Sequence, residues 1–79
     1  MIPEEVFLDV RGLDPPEPLE RVLEALCNLQ SGQRIRMTIQ REPMLLYPIL
    51  NRGGYAYETH SMETGDYEIM IWSLKDRSE

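Results

Sequence analysis

Hydrophobic and polar positions along the chain follow two different periods, and the changes of period divide the chain into six elements. The stretches "EVFLDV" and "QRIRMTIQ" alternate at every second position, which predicts two half-buried strands. Between them, apolar residues recur at i, i+3, i+4 and i+7, which predicts a helix. "REPMLLYPILNRGG" predicts a second helix that opens at Pro43. "YAYETHSM" and "DYEIMIWSL" then predict a closing hairpin with Gly65 at its tip.

Three prolines stand at the start of the first helix, in "RGLDPPEPLERVLEAL". Proline is tolerated there because the N–H groups of the first turn have no partner inside the helix. Asp14 and Glu17 are three positions apart and resemble a capping box, and both carboxylates suit the positive end of the helix dipole. The prolines therefore begin a helix rather than prevent one, and its apolar stripe consists of Leu19, Val22, Leu23 and Leu26.

The element order β-α-β-α-β-β predicts an α/β (α+β) two-layer sandwich. Right-handed crossovers place both helices on one face of the sheet, so the other face is open. In the last strand, Tyr67, Ile69 and Ile71 form the better core row, although a slip of one residue would invert the faces. The second helix is expected to bury Leu45, Leu46, Ile49 and Leu50, and the open face to carry Phe7, Asp9, Arg34, Arg36, Thr38, Met70 and Trp72.

Length and charge narrow the possible functions. The chain of 79 residues suits a single domain over residues 1–79, and its net charge of −6 disfavours nucleic acid as the main partner. The single cysteine, Cys27, cannot form an internal disulfide, and with His60 alone it makes no metal-ligand set. The N-terminus has no signal-peptide pattern and no stretch is long enough to span a bilayer, so we expect a soluble, cytoplasmic protein without a cofactor.

The layout and the proline-rich stretch resemble the TusA/SirA-like superfamily of sulfur carriers. Those proteins have Gly-Leu-x-Cys-Pro-x-Pro where this chain has Gly-Leu-Asp-Pro-Pro-Glu-Pro, residues 12–18. The segments "ALCNLQSGQ" and "LLYPILNRGGY" also resemble the end of the first helix and the second helix of those proteins, so the resemblance covers residues 5 to 74. This chain is also similar to a family of uncharacterised TusA-like domains, and it matches their opening, Leu-Asp-Val-Arg-Gly-Leu-x-Pro-Pro-Glu-Pro, almost residue for residue. The resemblance implies a four-stranded mixed sheet in the order 1-2-4-3 with an antiparallel fourth strand.

In the sulfur carriers, a cysteine occupies the position of Pro15. A thiol at a helix N-terminus is a good nucleophile, whereas a proline ring has no thiol to carry a persulfide. The resemblance therefore implies a non-catalytic binding or regulatory module rather than an enzyme. Relatives of the proline-bearing family occur beside or fused to hemerythrin-like domains and near nitrogen-oxide respiration genes, which implies an accessory role in redox or nitrogen-oxide metabolism.

Two surfaces are candidates for recognising a protein partner. The first is the helix start with Arg11 and Asp14, where Pro15, Pro16 and Glu17 would form a rigid prominence. The second is the open sheet face, whose arginine and aromatic side chains are types enriched at interface hot spots. Covering a thin sheet explains these side chains equally well. The residues concerned are Phe7, Arg34, Arg36 and Trp72.

Two other functions stay open. One is sulfur transfer through Cys27, although its place at the border of the apolar stripe predicts a half-buried core residue. The other is binding of a small ligand or RNA on the open face through Arg34 and Arg36.

His60 has no second His or Cys nearby in sequence and is predicted to lie on the surface. Arg11, Tyr47 and Arg52 could converge on an anion at the first helix, but the prolines remove most of the N–H donors that such a site uses. No catalytic or metal-binding residue is predicted.

Overall fold

The computed structural model describes residues 4–76 of the 79-residue chain. Strands and helices follow one another in the predicted order, and a short 3-10 helix follows the last strand. The bounds are β1 Glu4–Asp9, α1 Glu17–Cys27, β2 Gln33–Ile39, α2 Leu46–Gly53, β3 Tyr55–Ser61, β4 Tyr67–Ser73 and the 3-10 helix Leu74–Asp76.

The four strands form one mixed sheet in the order β1-β2-β4-β3. β1 and β2 are parallel, and the pairs β2–β4 and β3–β4 are antiparallel. This confirms the predicted fold class and strand order. None of the helices within residues 4–76 has the length and apolar character that crossing a membrane requires.

Both helices pack on the same face of the sheet. Ile35 lies opposite Ile71 and Met37 opposite Ile69, and all four side chains are at most 1% exposed. This confirms the predicted register of β4, because the alternate residues of that strand, Met70 and Trp72, point to the open face. The buried core consists of Val10, Val22, Leu26, Ile35, Met37, Ile39, Leu46, Leu50, Ile69 and Ile71.

The start of α1 differs from the predicted capping box. Pro16 is the N-cap and makes no side-chain capping hydrogen bond, and Glu17 is already the first helical residue. In a capping box, the N-cap side chain pairs with an acidic residue at the third helical position. Asp14 is not the N-cap and Glu17 is the first helical residue, so the two do not form a capping box. Instead, the Glu17 N–H donates to the Asp14 backbone carbonyl at 2.8 Å, and the Glu17 carboxylate lies 3.6 Å from Arg21.

The start of α2 also differs, and the difference changes which side chains are buried. The helix begins at Leu46 rather than at Pro43, because Pro48 has no N–H to donate and its ring clashes with the carbonyl four residues before it. With Leu46 as the first helical residue, Pro48 lies in the first turn, where no donor is needed. Leu46 and Leu50 are buried as predicted and Ile49 is half-buried, but Leu45 lies before the helix and is 80% exposed, so its predicted burial was wrong.

Candidate binding cleft beside the proline-rich turn

A cleft of about 460 Å³ lies at the carboxyl ends of β1 and β2. The two strands are parallel, so the loops that follow them leave the sheet at the same edge. In open α/β sheets, ligands commonly bind at this edge. Residues 13–16, 18 and 19 form one side of the cleft, which we name the proline wall. Residues 40–46 form the other side, which we name the Met-Leu wall, and Val22, Met37 and Ile39 line the cleft between the two walls.

The proline wall is a rigid surface. Pro15 and Pro16 are exposed, whereas Pro18 is buried in the first turn of α1. Each proline ring fixes one backbone dihedral angle, so little conformational freedom remains to be lost when a partner binds. Of the residues predicted for the helix-start surface, Asp14, Pro15 and Pro16 line the cleft, whereas Glu17 and Arg11 do not.

The Met-Leu wall presents two large apolar side chains to solvent. Met44 is 63% exposed and Leu45 is 80% exposed, and both belong to the turn that precedes α2. Exposed apolar groups of this size form a favourable contact once a partner removes them from water. This wall therefore has the character of a binding surface.

Contacts from α2 hold the Met-Leu wall in place. The Tyr47 hydroxyl lies 3.0 Å from Glu42 Oε2, to which it donates, and 2.8 Å from Thr59 Oγ1. The Tyr47 ring stacks on Tyr57 of β3, with 4.6 Å between the ring centroids. Burial raises the pKa of the Tyr47 hydroxyl above its usual range. The loop that ends in Met44 and Leu45 is thereby tied to β3.

One hydrogen bond joins the loops behind the two walls. The Gly12 N–H donates to Gln40 Oε1 at 3.2 Å. Gly12 has a φ of 82°, in the left-handed region that side chains with a Cβ rarely adopt. This bond uses the amide oxygen of Gln40 and leaves its NH₂ group as a donor at the cleft.

The described residues that line the cleft carry no thiol, hydroxyl, imidazole or amine group. They include no Cys, Ser, Thr, His, Lys or Tyr, and their ionisable groups are Asp14, Arg41 and Glu42. Within residues 4–76, no group of three or more His, Cys, Asp or Glu side chains could hold a metal ion. The described lining supplies apolar contact, hydrogen bonding and charge.

The open sheet face is largely occupied by contacts within the protein. Arg36 donates to both carboxylate oxygens of Glu5, at 3.0 and 2.9 Å, and forms an ion pair with Glu68 at 3.0 Å. Its guanidinium also lies 5.9 Å from the Phe7 ring centroid. The hydrogen bond from Arg36 lowers the pKa of Glu5, which keeps this carboxylate charged. Because two carboxylates already bind Arg36, this arginine offers little free positive charge to a phosphate backbone.

Arg34 and Trp72 also lie together on the open face. The Arg34 guanidinium lies 5.2 Å from the Trp72 ring centroid, within the range of a cation–π contact. The structure thus brings Arg34, Arg36, Phe7 and Trp72 to one face, as predicted, but pairs them with one another or with carboxylates.

Arg11 is separate from the cleft. Its guanidinium hydrogen-bonds Asp9 at 2.9 and 2.8 Å and Asp66 at 3.2 Å. The hydrogen bonds from Arg11 lower the pKa of Asp9 to about 2. None of the three residues considered for an anion site, Arg11, Tyr47 and Arg52, lines the cleft, so they do not converge on the start of α1.

Cys27 and His60 are both on the surface. Cys27 is exposed, which corrects the predicted half-buried position. It is the last residue of α1, about 15 Å along the axis from the first turn at 1.5 Å per residue. Its side chain therefore lies at the end of the helix opposite the proline wall. His60 is exposed as predicted, with Nε2 3.6 Å from Glu58 Oε1.

Sequence reasoning did not identify the Met-Leu wall. Gln40, Arg41, Met44 and Leu45 were not among the predicted site residues, because a helix opening at Pro43 would turn Leu45 toward the core. Pro48 was the signal that could have found them. A proline confined to the first helical turn places the two residues 44 and 45 before the helix.

Comparisons with known proteins agree with this architecture. The family described as "Uncharacterized conserved protein (DUF2249)" matches residues 7–73. Among solved structures, the chain is similar to the crystal structure of a SirA-like protein from Desulfitobacterium hafniense, with 24% sequence identity and a TM-score of 0.74 over 82% of this chain and 92% of that one. No curated protein matches the chain significantly. The structural match shows a SirA-like fold.

Proposed function

The chain belongs to the DUF2249 family of uncharacterised conserved proteins, and from this premise we propose that it is a non-catalytic binding module that holds a partner protein in the cleft between the proline wall and the Met-Leu wall. The observation that supports this most directly is the pairing of exposed Met44 and Leu45 with exposed Pro15 and Pro16 around a cleft whose described lining has no Cys, Ser, Thr or Lys. Rigid prolines and apolar side chains favour binding, and the described lining has no Ser, Cys, Thr or Lys to act as a nucleophile.

The position of Pro15 supports a non-catalytic role. By resemblance to the TusA/SirA-like sulfur carriers, this is where the reactive cysteine stands. A proline at that position retains the shape of the helix start but cannot attack or carry sulfur. The same site then serves recognition. The resemblance of the proline-bearing opening also supports an accessory role in redox or nitrogen-oxide metabolism, in the cytoplasm.

A protein partner fits the cleft better than a small enclosed ligand. Ligand pockets bury most of their contents, whereas the apolar rim of this cleft is largely turned to solvent. Met side chains adapt their shape to different partners, and apolar contacts at the centre of an interface supply much of its binding energy. Leu45, at 80% exposure, has the most apolar surface to lose on binding.

The proposal is tested by partner capture with a matched pair of variants. Leu45→Glu places a charge at the cleft, and Phe7→Glu makes the same kind of change at a 72% exposed residue of the open face. A stoichiometric partner recovered from a lysate of the source organism should bind wild type and Phe7→Glu. Reconstituted from purified components, that partner should bind Leu45→Glu at least about 10-fold more weakly. Loss with Phe7→Glu alone, or equal binding by all three proteins, contradicts the cleft as the site.

The exposed position of Cys27 favours one alternative, a persulfide carrier that uses this thiol. Incubation with a persulfide donor, followed by intact-mass measurement of wild type and Cys27→Ser, separates the two functions. We expect no sulfur adduct on either protein when non-specific thiol oxidation is controlled. A gain of one sulfur atom on wild type alone would favour sulfur transfer.

A further inference from the structure

Among the described residues, three ionisable side chains line the cleft, and they differ in how many hydrogen-bond and ion-pair partners they have. Within residues 4–76, neither the Asp14 carboxylate nor the Arg41 guanidinium has a hydrogen-bond or ion-pair partner. Glu42 accepts a hydrogen bond from the Tyr47 hydroxyl at 3.0 Å, which leaves its negative charge uncompensated. Two carboxylates and one guanidinium give the lining a charge of 1 − 2 = −1. The cleft is therefore locally negative.

The whole chain adds to this local field. Its net charge of −6 attracts a cationic partner over distances up to about the Debye length, roughly 8 Å at physiological salt. An acidic partner would meet repulsion from the chain and from Asp14 and Glu42. Charge complementarity at the cleft therefore selects a basic partner.

The polar groups of the two walls suit a peptide backbone. On the Met-Leu wall, Arg41 and the NH₂ group of Gln40 are donors, since the Gln40 oxygen already accepts from Gly12. An extended peptide offers carbonyl acceptors to these donors. On the proline wall, Asp14 is an acceptor and is free to receive an N–H group or a cationic side chain. Arg41 can therefore bind a basic segment by donating hydrogen bonds to the backbone carbonyl oxygens of that segment.

We propose that the occupant of the cleft is an extended segment of a partner protein that carries apolar side chains next to a lysine or arginine. This rests on the proposed function and specifies its partner. The apolar side chains contact Met44, Leu45 and the two exposed prolines, and the cation lies against Asp14. The combination of an apolar cleft, an unpaired carboxylate on one wall and donors on the other defines this chemistry.

The probe for this proposal is a displayed library of short random peptides, selected on the immobilised full-length protein. Peptides enriched on wild type should combine apolar residues with Lys or Arg, and should bind Phe7→Glu but not Leu45→Glu. A synthetic copy of the most enriched peptide then allows the role of charge to be measured. Asp14→Asn should weaken its binding by about 3- to 5-fold, the upper part of the range for an exposed ion pair, and raising the salt concentration should weaken it further.

Glu20→Gln is the matched control for charge. Glu20 is an exposed carboxylate of α1 outside the cleft lining, so its substitution removes the same net charge without removing the contact. It should change peptide affinity less than about 2-fold. Equal effects of Asp14→Asn and Glu20→Gln, or enrichment of acidic or uncharged peptides, would overturn the proposal of a basic partner. If binding of those peptides still depended on Leu45, the proposed function would stand. Selection that yields no peptide, or only peptides indifferent to Leu45→Glu, would overturn both.

Discussion

Leu45 and Leu50 belong to one apolar pattern in the sequence, and the structure predicts that they differ sharply in their contribution to stability. Leu50 is 0% exposed and Leu45 is 80% exposed. Replacing Leu50 by Ala removes three carbon atoms from the core, a transfer cost of about 2.4 kcal/mol at about 0.8 kcal/mol per methylene. A residual cavity raises this to about 3–4 kcal/mol. Leu45 has only about a fifth of its surface buried, so Leu45→Ala should cost about 0.5 kcal/mol.

Urea unfolding followed by circular dichroism measures both costs. For a chain of this length the free energy of unfolding is about 4–12 kcal/mol, so Leu50→Ala should lower the urea midpoint strongly or leave the protein partly unfolded without denaturant. Leu45→Ala should leave the midpoint nearly unchanged, with the same m-value. Equal destabilisation by the two substitutions would refute the assignment of Leu46 as the first residue of α2. In that case the cleft wall built from Leu45 would also be wrong.

Three further predictions concern charge, backbone conformation and thiol exposure. Hydrogen bonds from Arg11 lower the pKa of Asp9 from 3.8 to about 2, so the stabilising effect of this carboxylate should be present above about pH 4 and lost as the pH falls toward 2. Asp9→Asn should remove this part of the pH dependence of the urea midpoint. Gly54, at the C-cap of α2, has a φ of 82°, so Gly54→Ala should lower the free energy of unfolding by about 1 kcal/mol and Gly54→Asn should lower it less. Thermal unfolding measures both, and equal stability of wild type and Gly54→Ala would contradict this prediction. Cys27 should react with a thiol reagent in the native protein, at a rate that denaturant hardly raises, and Cys27→Ser should keep its stability to within about 0.5 kcal/mol.

Part of the candidate site could be predicted from the sequence. The residues Asp14, Pro15 and Pro16 were predicted as a recognition surface because prolines in series before an apolar stripe mark a rigid helix start. Their position on a cleft could not be predicted, since the opposite wall comes from the loop after β2, more than twenty residues away. That wall depends on where α2 begins, and a shift of three residues there moves Leu45 from the core to solvent.

The sequence by itself determined the elements and the faces of the strands. Period-two alternation and helical spacing are local properties, and a register in which Ile69 and Ile71 are buried leaves the fewest apolar groups in water. The order of the strands came from the resemblance of the whole layout rather than from the periodicity.

Only the tertiary structure decided which charges are compensated and which stay free. Arg36 meets Glu5 and Glu68 because β2 lies between β1 and β4, and the separations of 31 and 32 residues give no local signal of this pairing. The same arrangement leaves Asp14 and Arg41 unpaired at the cleft. Ion pairs depend on distances of a few ångströms between side chains from different elements, so they are fixed only when the elements pack.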